Sequence, residues 1–171
     1  MDAASVREAI DRLSESISAD PAKARAKNAP ATARLLNGLQ CELQGPYNER
    51  LVTDMPPALG GGASGPNPGW LLRGALASCT ATVIAMRAAK LGIALSSLEV
   101  TAETDSDLRG ILGLDESISA GHQAVRMRVK IASSSAPPQA LRELVQWAEA
   151  HSPVGCTVKG APKSSLEIEV L

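Results

Sequence analysis

The stretch from Ser64 to Thr82, SGPNPGWLLRGALASCTAT, passes from a glycine- and proline-rich turn into a long apolar segment that contains one thiol, Cys79. Asn67 stands where a side-chain oxygen can take a free helical N–H, and Pro68 fills the first helical position, where a missing N–H costs nothing. Apolar and small residues continue to Leu91, and Gly92 supplies the stop. Only Arg73, Arg87 and Lys90 are charged. The spacing therefore predicts a helix that is apolar over most of its circumference, the central buried helix of the fold. Cys79 has no acid or base one turn away. Its local sequence reads as a structural thiol, because burial disfavours the thiolate and only a thiolate attacks.

On the N-terminal side, Ser5 and Glu8 fit a capping box ahead of Val6, Ile10, Leu13 and Ile17 at helical spacing. This amphipathic helix ends by Ala19–Pro21, and a basic connector follows to about residue 30. From Thr32 the period changes to two, so a strand is expected with Leu35, Leu39, Cys41 and Leu43 facing inward. The turn GPYN at 45–48 makes Glu49 to Met55 its hairpin partner.

On the C-terminal side, Leu98, Val100 and Ala102 alternate with Glu99, Thr101 and Glu103. Val125, Met127, Val129 and Ile131 alternate with Arg126, Arg128 and Lys130, and Leu166, Ile168 and Val170 alternate with Glu167 and Glu169. Facing opposite charges favour seating the basic strand between the two acidic ones. A helix is expected over Pro137 to Ala150, and Ser152-Pro153 starts a further short one. The elements describe an α+β domain over residues 31–171, preceded by the helix and connector of residues 1–30.

With 171 residues and 44% hydrophobic content, the chain supports one such domain. Seventeen basic against 18 acidic residues, no polybasic run, two Trp, one Tyr and no Phe argue against nucleic acid or an anionic membrane as partner. No signal-peptide core is read at the N-terminus and no stretch is expected to reach membrane-span length, so a cytoplasmic protein is expected. Three cysteines without CxxC spacing do not make a secreted disulfide scaffold. Cys41 reads as a core residue. Cys156 lies in the first turn of the last helix, where the helix dipole favours an anion. His151 and Cys156 lack a second ligand pair, so no metal is expected, and no phosphate-binding loop or G-x-S-x-G elbow is present.

Five separated blocks, DMPPALGG, GPNPGWLLRGALASCTA, LGIALSSLEV, DLRGILGLD and AEAHSPVGCTV, resemble in order and spacing the OsmC/Ohr family of osmotically inducible and organic hydroperoxide resistance proteins. The resemblance runs from about Arg34 to Leu171. It implies an intertwined α+β homodimer with central helices packed between antiparallel sheets, the N-terminal helix being extra. It also implies reduction of organic hydroperoxides at Cys79, which falls at the family's peroxidatic position, with a thiol reductant and no cofactor. The family's helix-start Glu corresponds to Gly69 and its resolving cysteine to Ser152. Cys156, one turn beyond Ser152, is the expected displaced resolving thiol. Arg50, with Arg34 behind it, is the expected activating cation. The alternative implied by the same resemblance is a protein that binds a small apolar ligand without turnover.

Overall fold

The structure is a computed structural model that describes residues 2–170. Two compact units are distinguished: residues 2–7 together with residues 76–170, and Glu8–Ala75. The first helix, α1 (Ala3–Ala19), starts earlier than the Ser5–Glu8 pattern suggests. The Asp2 carboxylate accepts both the backbone N–H and the hydroxyl of Ser5 at 2.9 Å. Glu8 faces Arg12 instead, at 3.7 Å.

Within Glu8–Ala75, β1 (Thr32–Asn37), β2 (Gln40–Gln44) and β3 (Arg50–Thr53) form an antiparallel sheet in the order β1-β2-β3. The single strand expected from Thr32 onward is thus two strands. The chain reverses at Gly38, whose φ of +55° is a left-handed conformation that glycine adopts at little cost. Leu35 therefore lies opposite Cys41 rather than in line with it. Leu35 is 69% exposed and Cys41 only half-buried, so the fully inward face expected for this segment is not formed within the chain.

The loop after β3 is wound around one carboxylate. Asp54, 2% exposed, accepts the N–H groups of Met55 (2.7 Å), Gly62 (3.0 Å) and Ser64 (3.1 Å) and the Ser64 hydroxyl (2.8 Å). The donors of Ser64 are the main reason its carboxyl falls from 3.8 to about 2. The winding is tight enough to require glycine: a Cβ on Gly65 would lie 2.2 Å from the Val52 carbonyl oxygen. The loop delivers Asn67, whose Oδ1 accepts the Trp70 N–H at 2.8 Å, and α2 (Pro68–Leu91) begins as expected.

α2 buries Leu76, Thr80, Ile84, Ala88 and Ala89. The first four recur every fourth residue and so make one stripe rather than the nearly complete burial expected. Met86 and Leu91 stay 42% and 51% exposed. By length and composition α2 could also cross a membrane, which corrects the expectation that no stretch reaches that length. In the unit holding residues 76–170, Ile84 and Ala88 meet Leu141, Leu144 and Ala148 of α4 (Pro138–Ala150), with Val100, Val129 and Ile131 packed around them. Each fully buried Ile or Leu contributes on the order of 1.5–3 kcal/mol.

β4 (Leu95–Asp105) and β5 (Ala124–Ser133) pair antiparallel along almost their whole length. The expected charge matching is present between them: Lys130 lies 2.7 Å from Glu99, and Arg126 takes Asp105 at 2.6 Å and Glu103 at 3.9 Å. A short α3 (Leu108–Ile111), capped by Asp107, interrupts the connection. The expected third strand is not formed. Residues 161–170 join no ladder, and Leu166, Ile168 and Val170 are 85%, 75% and 89% exposed. The acidic segment has no basic strand beside it, because β5 is paired with β4 alone.

Candidate functional site

Cys79 lies one residue before Thr80 of the buried stripe and is itself half-buried. The side chain against its sulfur comes from α5 (Pro153–Gly160), through the Ser152 that caps it. Ser152 is 1% exposed. Its hydroxyl donates to Cys79 Sγ at 3.3 Å while its oxygen accepts the Gly155 N–H at 3.3 Å. Thr80 donates to the same oxygen over a longer 3.5 Å.

The turn that presents Ser152 is held by a stack of rings. His151 lies flat on Trp147, with centroids 3.9 Å apart and planes 12° from parallel, and the Arg87 guanidinium sits 4.4 Å from the Trp147 ring centre. Because a carbonyl only accepts, the 2.7 Å contact from His151 Nδ1 to the Trp147 oxygen places the ring proton on Nδ1. Arg87, on α2 two turns beyond Cys79, thereby ties the helix of the thiol to the α4–α5 turn.

A cavity of about 350 Å³ opens beside this cluster. Thr80 and Ser152 form part of its lining, with Leu76, Val125, Met127 and Val158 as apolar walls. Glu149 and Lys159, also in the lining, pair with each other. A larger groove of about 540 Å³ runs along β5 and α4, but among its described lining residues are neither Ser152 nor Thr80, so the smaller cavity is the candidate site.

The other expected site residues have definite positions. Cys156 is exposed and its thiol donates to the Ala150 carbonyl at 3.3 Å. All three cysteines are free thiols. Arg50 belongs to the three-stranded sheet, where it lies 3.8 Å from Glu42. Arg34, on the neighbouring strand, donates to Gln44 at 3.1 Å. Gly69 is in the first turn of α2. Among the described residues no group of three or more His, Cys, Asp or Glu side chains is placed to hold a metal ion.

The sequence marks Ser152 as a cap and as the position of a missing thiol, whereas its contact with Cys79 and the places of Thr80 and Asp54 come from the structure. Thr80 carries a weak signal, a polar residue on the buried stripe of an apolar helix. Asp54 carries a stronger one, a lone acid at the junction of a strand and a glycine-rich loop.

The chain is thus α+β, with a half-buried thiol on α2, a hydroxyl against that thiol, and an apolar-walled cavity lined by the neighbouring Thr80 and Ser152. Residues 60–167 match the family described as OsmC-like protein, and the chain belongs to that family. No curated protein matches the sequence. Among solved structures, the fold is similar to an OsmC-like protein from Mycoplasma pneumoniae, with a TM-score of 0.67, 18% identity, and 80% of this chain and 90% of that one covered. It is similar to an organic hydroperoxide resistance protein OsmC from Legionella pneumophila, with a TM-score of 0.56, 19% identity, and 80% and 92% covered. The organic hydroperoxide resistance protein OhrB of Bacillus subtilis gives a TM-score of 0.53 and 19% identity, with 78% and 92% covered.

Proposed function

We propose that this protein reduces organic hydroperoxides with Cys79 as the attacking thiol. The observation that carries the reading is the contact between Cys79 Sγ and a buried hydroxyl beside an apolar-walled cavity, in a family whose solved relatives include organic hydroperoxide resistance proteins. The thiolate attacks the peroxide, the O–O bond breaks, and Cys79 becomes a sulfenic acid as an alcohol leaves. Apolar walls favour an alkyl hydroperoxide over hydrogen peroxide.

Cys156 is the thiol proposed to resolve the sulfenic acid. To reach it, Cys156 must leave the Ala150 carbonyl. The resulting disulfide is then returned to thiols by an external thiol reductant. Arg50 is the proposed activating cation, and it has an acidic partner in Glu42, although not from the helix start that Gly69 occupies. The active form is proposed to be the intertwined homodimer. The exposed apolar residues of β1 and of residues 161–170 favour it, since a second copy would remove them from water.

The cavity also favours a second reading, binding of a small apolar ligand without turnover, because Glu149 and Lys159, the charged groups among its described lining residues, already pair with each other. One experiment separates the two. The reduced protein is treated with one equivalent of cumene hydroperoxide and its cysteines are mapped by mass spectrometry, with Cys79→Ser and Cys156→Ser alongside. Rapid formation of a Cys79–Cys156 disulfide, absent in both variants, supports the peroxidase with its displaced resolving thiol. Oxidation of Cys79 without that disulfide removes Cys156 from the mechanism. Thiols unchanged over minutes overturn the peroxidase and leave ligand binding.

A further inference from the structure

We propose that Ser152 is a catalytic residue that steadies negative charge on the Cys79 sulfur, a role that rests on the reading of Cys79 as the attacking thiol. Ser152 Oγ has two lone pairs and one proton. The Gly155 N–H can only donate, and it takes one lone pair. The Thr80 hydroxyl takes the second, which leaves the Ser152 proton for Cys79 Sγ. When that sulfur is an anion it can only accept, so the direction Thr80 to Ser152 to Cys79 is the one the cluster must then adopt.

Burial makes the arrangement effective. At 1% exposure the hydroxyl is held out of water, so it is already oriented when charge appears on the sulfur and does not have to displace solvent. It also stands at the N-terminus of α5, where the peptide dipoles favour an anion. The α4–α5 turn that carries it is fixed by the Arg87–Trp147–His151 stack.

In the reaction the sulfur loses two electrons to the peroxide. The S–O bond forms as the O–O bond breaks, the hydroxyl oxygen stays on sulfur, and the departing alkoxide takes up a proton equal to the one the thiol gave up. Ser152 is unchanged at the end. A serine here cannot form a disulfide, so the position serves the attacking sulfur and leaves resolution to another thiol.

The test is the rate at which iodoacetamide alkylates Cys79 at pH 7 in the full chain, read by mass spectrometry, with no hydroperoxide present. Ser152→Ala is expected to slow alkylation roughly ten- to a hundredfold, the usual worth of a hydrogen bond to a charged group. Thr80→Val is expected to slow it less and in the same direction while leaving the α5 cap intact. Wild-type rates in both variants overturn the proposal. Should Ser152→Ala unfold, Ser152→Cys treated with diamide reads the geometry: a rapid disulfide to Cys79 supports the contact, and none overturns it. A slowed Ser152→Ala in a protein that does not react with cumene hydroperoxide keeps the hydroxyl assignment and removes only the peroxidase.

Discussion

Asp54 and Ser152 are 2% and 1% exposed, yet they are satisfied in different ways. Every contact of the Asp54 carboxylate is with its own loop, and its four donors are spoken for within eleven residues of chain. Ser152 is satisfied across 73 residues of sequence, and its proton goes to the sulfur of a free cysteine. The first arrangement is local and closed, and it fixes a loop. The second is long-range and ends on a thiol whose neighbours Thr80 and Ser152 line a cavity. Burial of a polar group is therefore common to both arrangements, and what its last hydrogen bond touches tells them apart.

The largest expected effect falls on the open arrangement. Cys79→Ser should lower the rate of cumene hydroperoxide consumption by more than roughly a hundredfold, because the proposed nucleophile is removed. Its melting temperature should stay near that of the wild type, since the serine hydroxyl is smaller and can still meet Ser152. A variant that keeps the activity would show that the two arrangements do not differ in function. The closed arrangement should respond in stability instead. Gly65→Ala forces a Cβ to within 2.2 Å of the Val52 oxygen, and the backbone must move. A loss of about 1–3 kcal/mol in denaturant unfolding is expected.

Asp54→Asn should lower the melting temperature by several degrees at neutral pH, and its pH dependence has a definite sign. Donors to the carboxylate hold the folded value at about 2, against 3.8 for an unperturbed Asp. A depressed acid stabilises the folded state above its unfolded value and stops doing so as pH falls through the folded one. The gap between wild type and Asp54→Asn should thus be widest above about pH 4 and close toward pH 2. A gap that is constant with pH would mean that the charge does not matter and that only shape does.

This division also explains what could be read in advance. Pro68, Asn67 and Gly92 bracket α2 by local rules, and the helix begins and ends where they place it. The Asn37-Gly38 pair is an equally local hairpin signal, and the alternation of Leu35, Leu39, Cys41 and Leu43 concealed it by running on through the turn. Alternation also points to a strand at Leu166, Ile168 and Val170, but pattern specifies a strand's face and not its partner, and no ladder forms there within one chain. The position of Cys79 was legible through five matching blocks. The hydroxyl against it follows from no local signal, because a contact between residues 79 and 152 depends on how α5 docks; only the resemblance, which sets Ser152 at the resolving-cysteine position, points to it.

The smallest effect tests whether a carboxylate must be buried to matter. Glu99 and Lys130 are cross-strand partners 2.7 Å apart, with side chains 60% and 68% exposed. Water and salt screen such a pair, and both side chains lose freedom in making it. A double-mutant cycle with Glu99→Gln and Lys130→Met is expected to give a coupling of roughly 0.2–1 kcal/mol at low salt and close to none at 1 M salt, where the Debye length is about 3 Å. The Asp54→Asn difference should persist at that salt, because its donors are backbone N–H groups and a hydroxyl in direct contact, which mobile ions do not reach. If both respond to salt alike, Asp54 is open to solvent and the loop it organises is looser than its hydrogen bonds imply. If only the Glu99 pair responds, the matched charges of β4 and β5 serve to choose the strand register, while the carboxylate at residue 54 holds its loop.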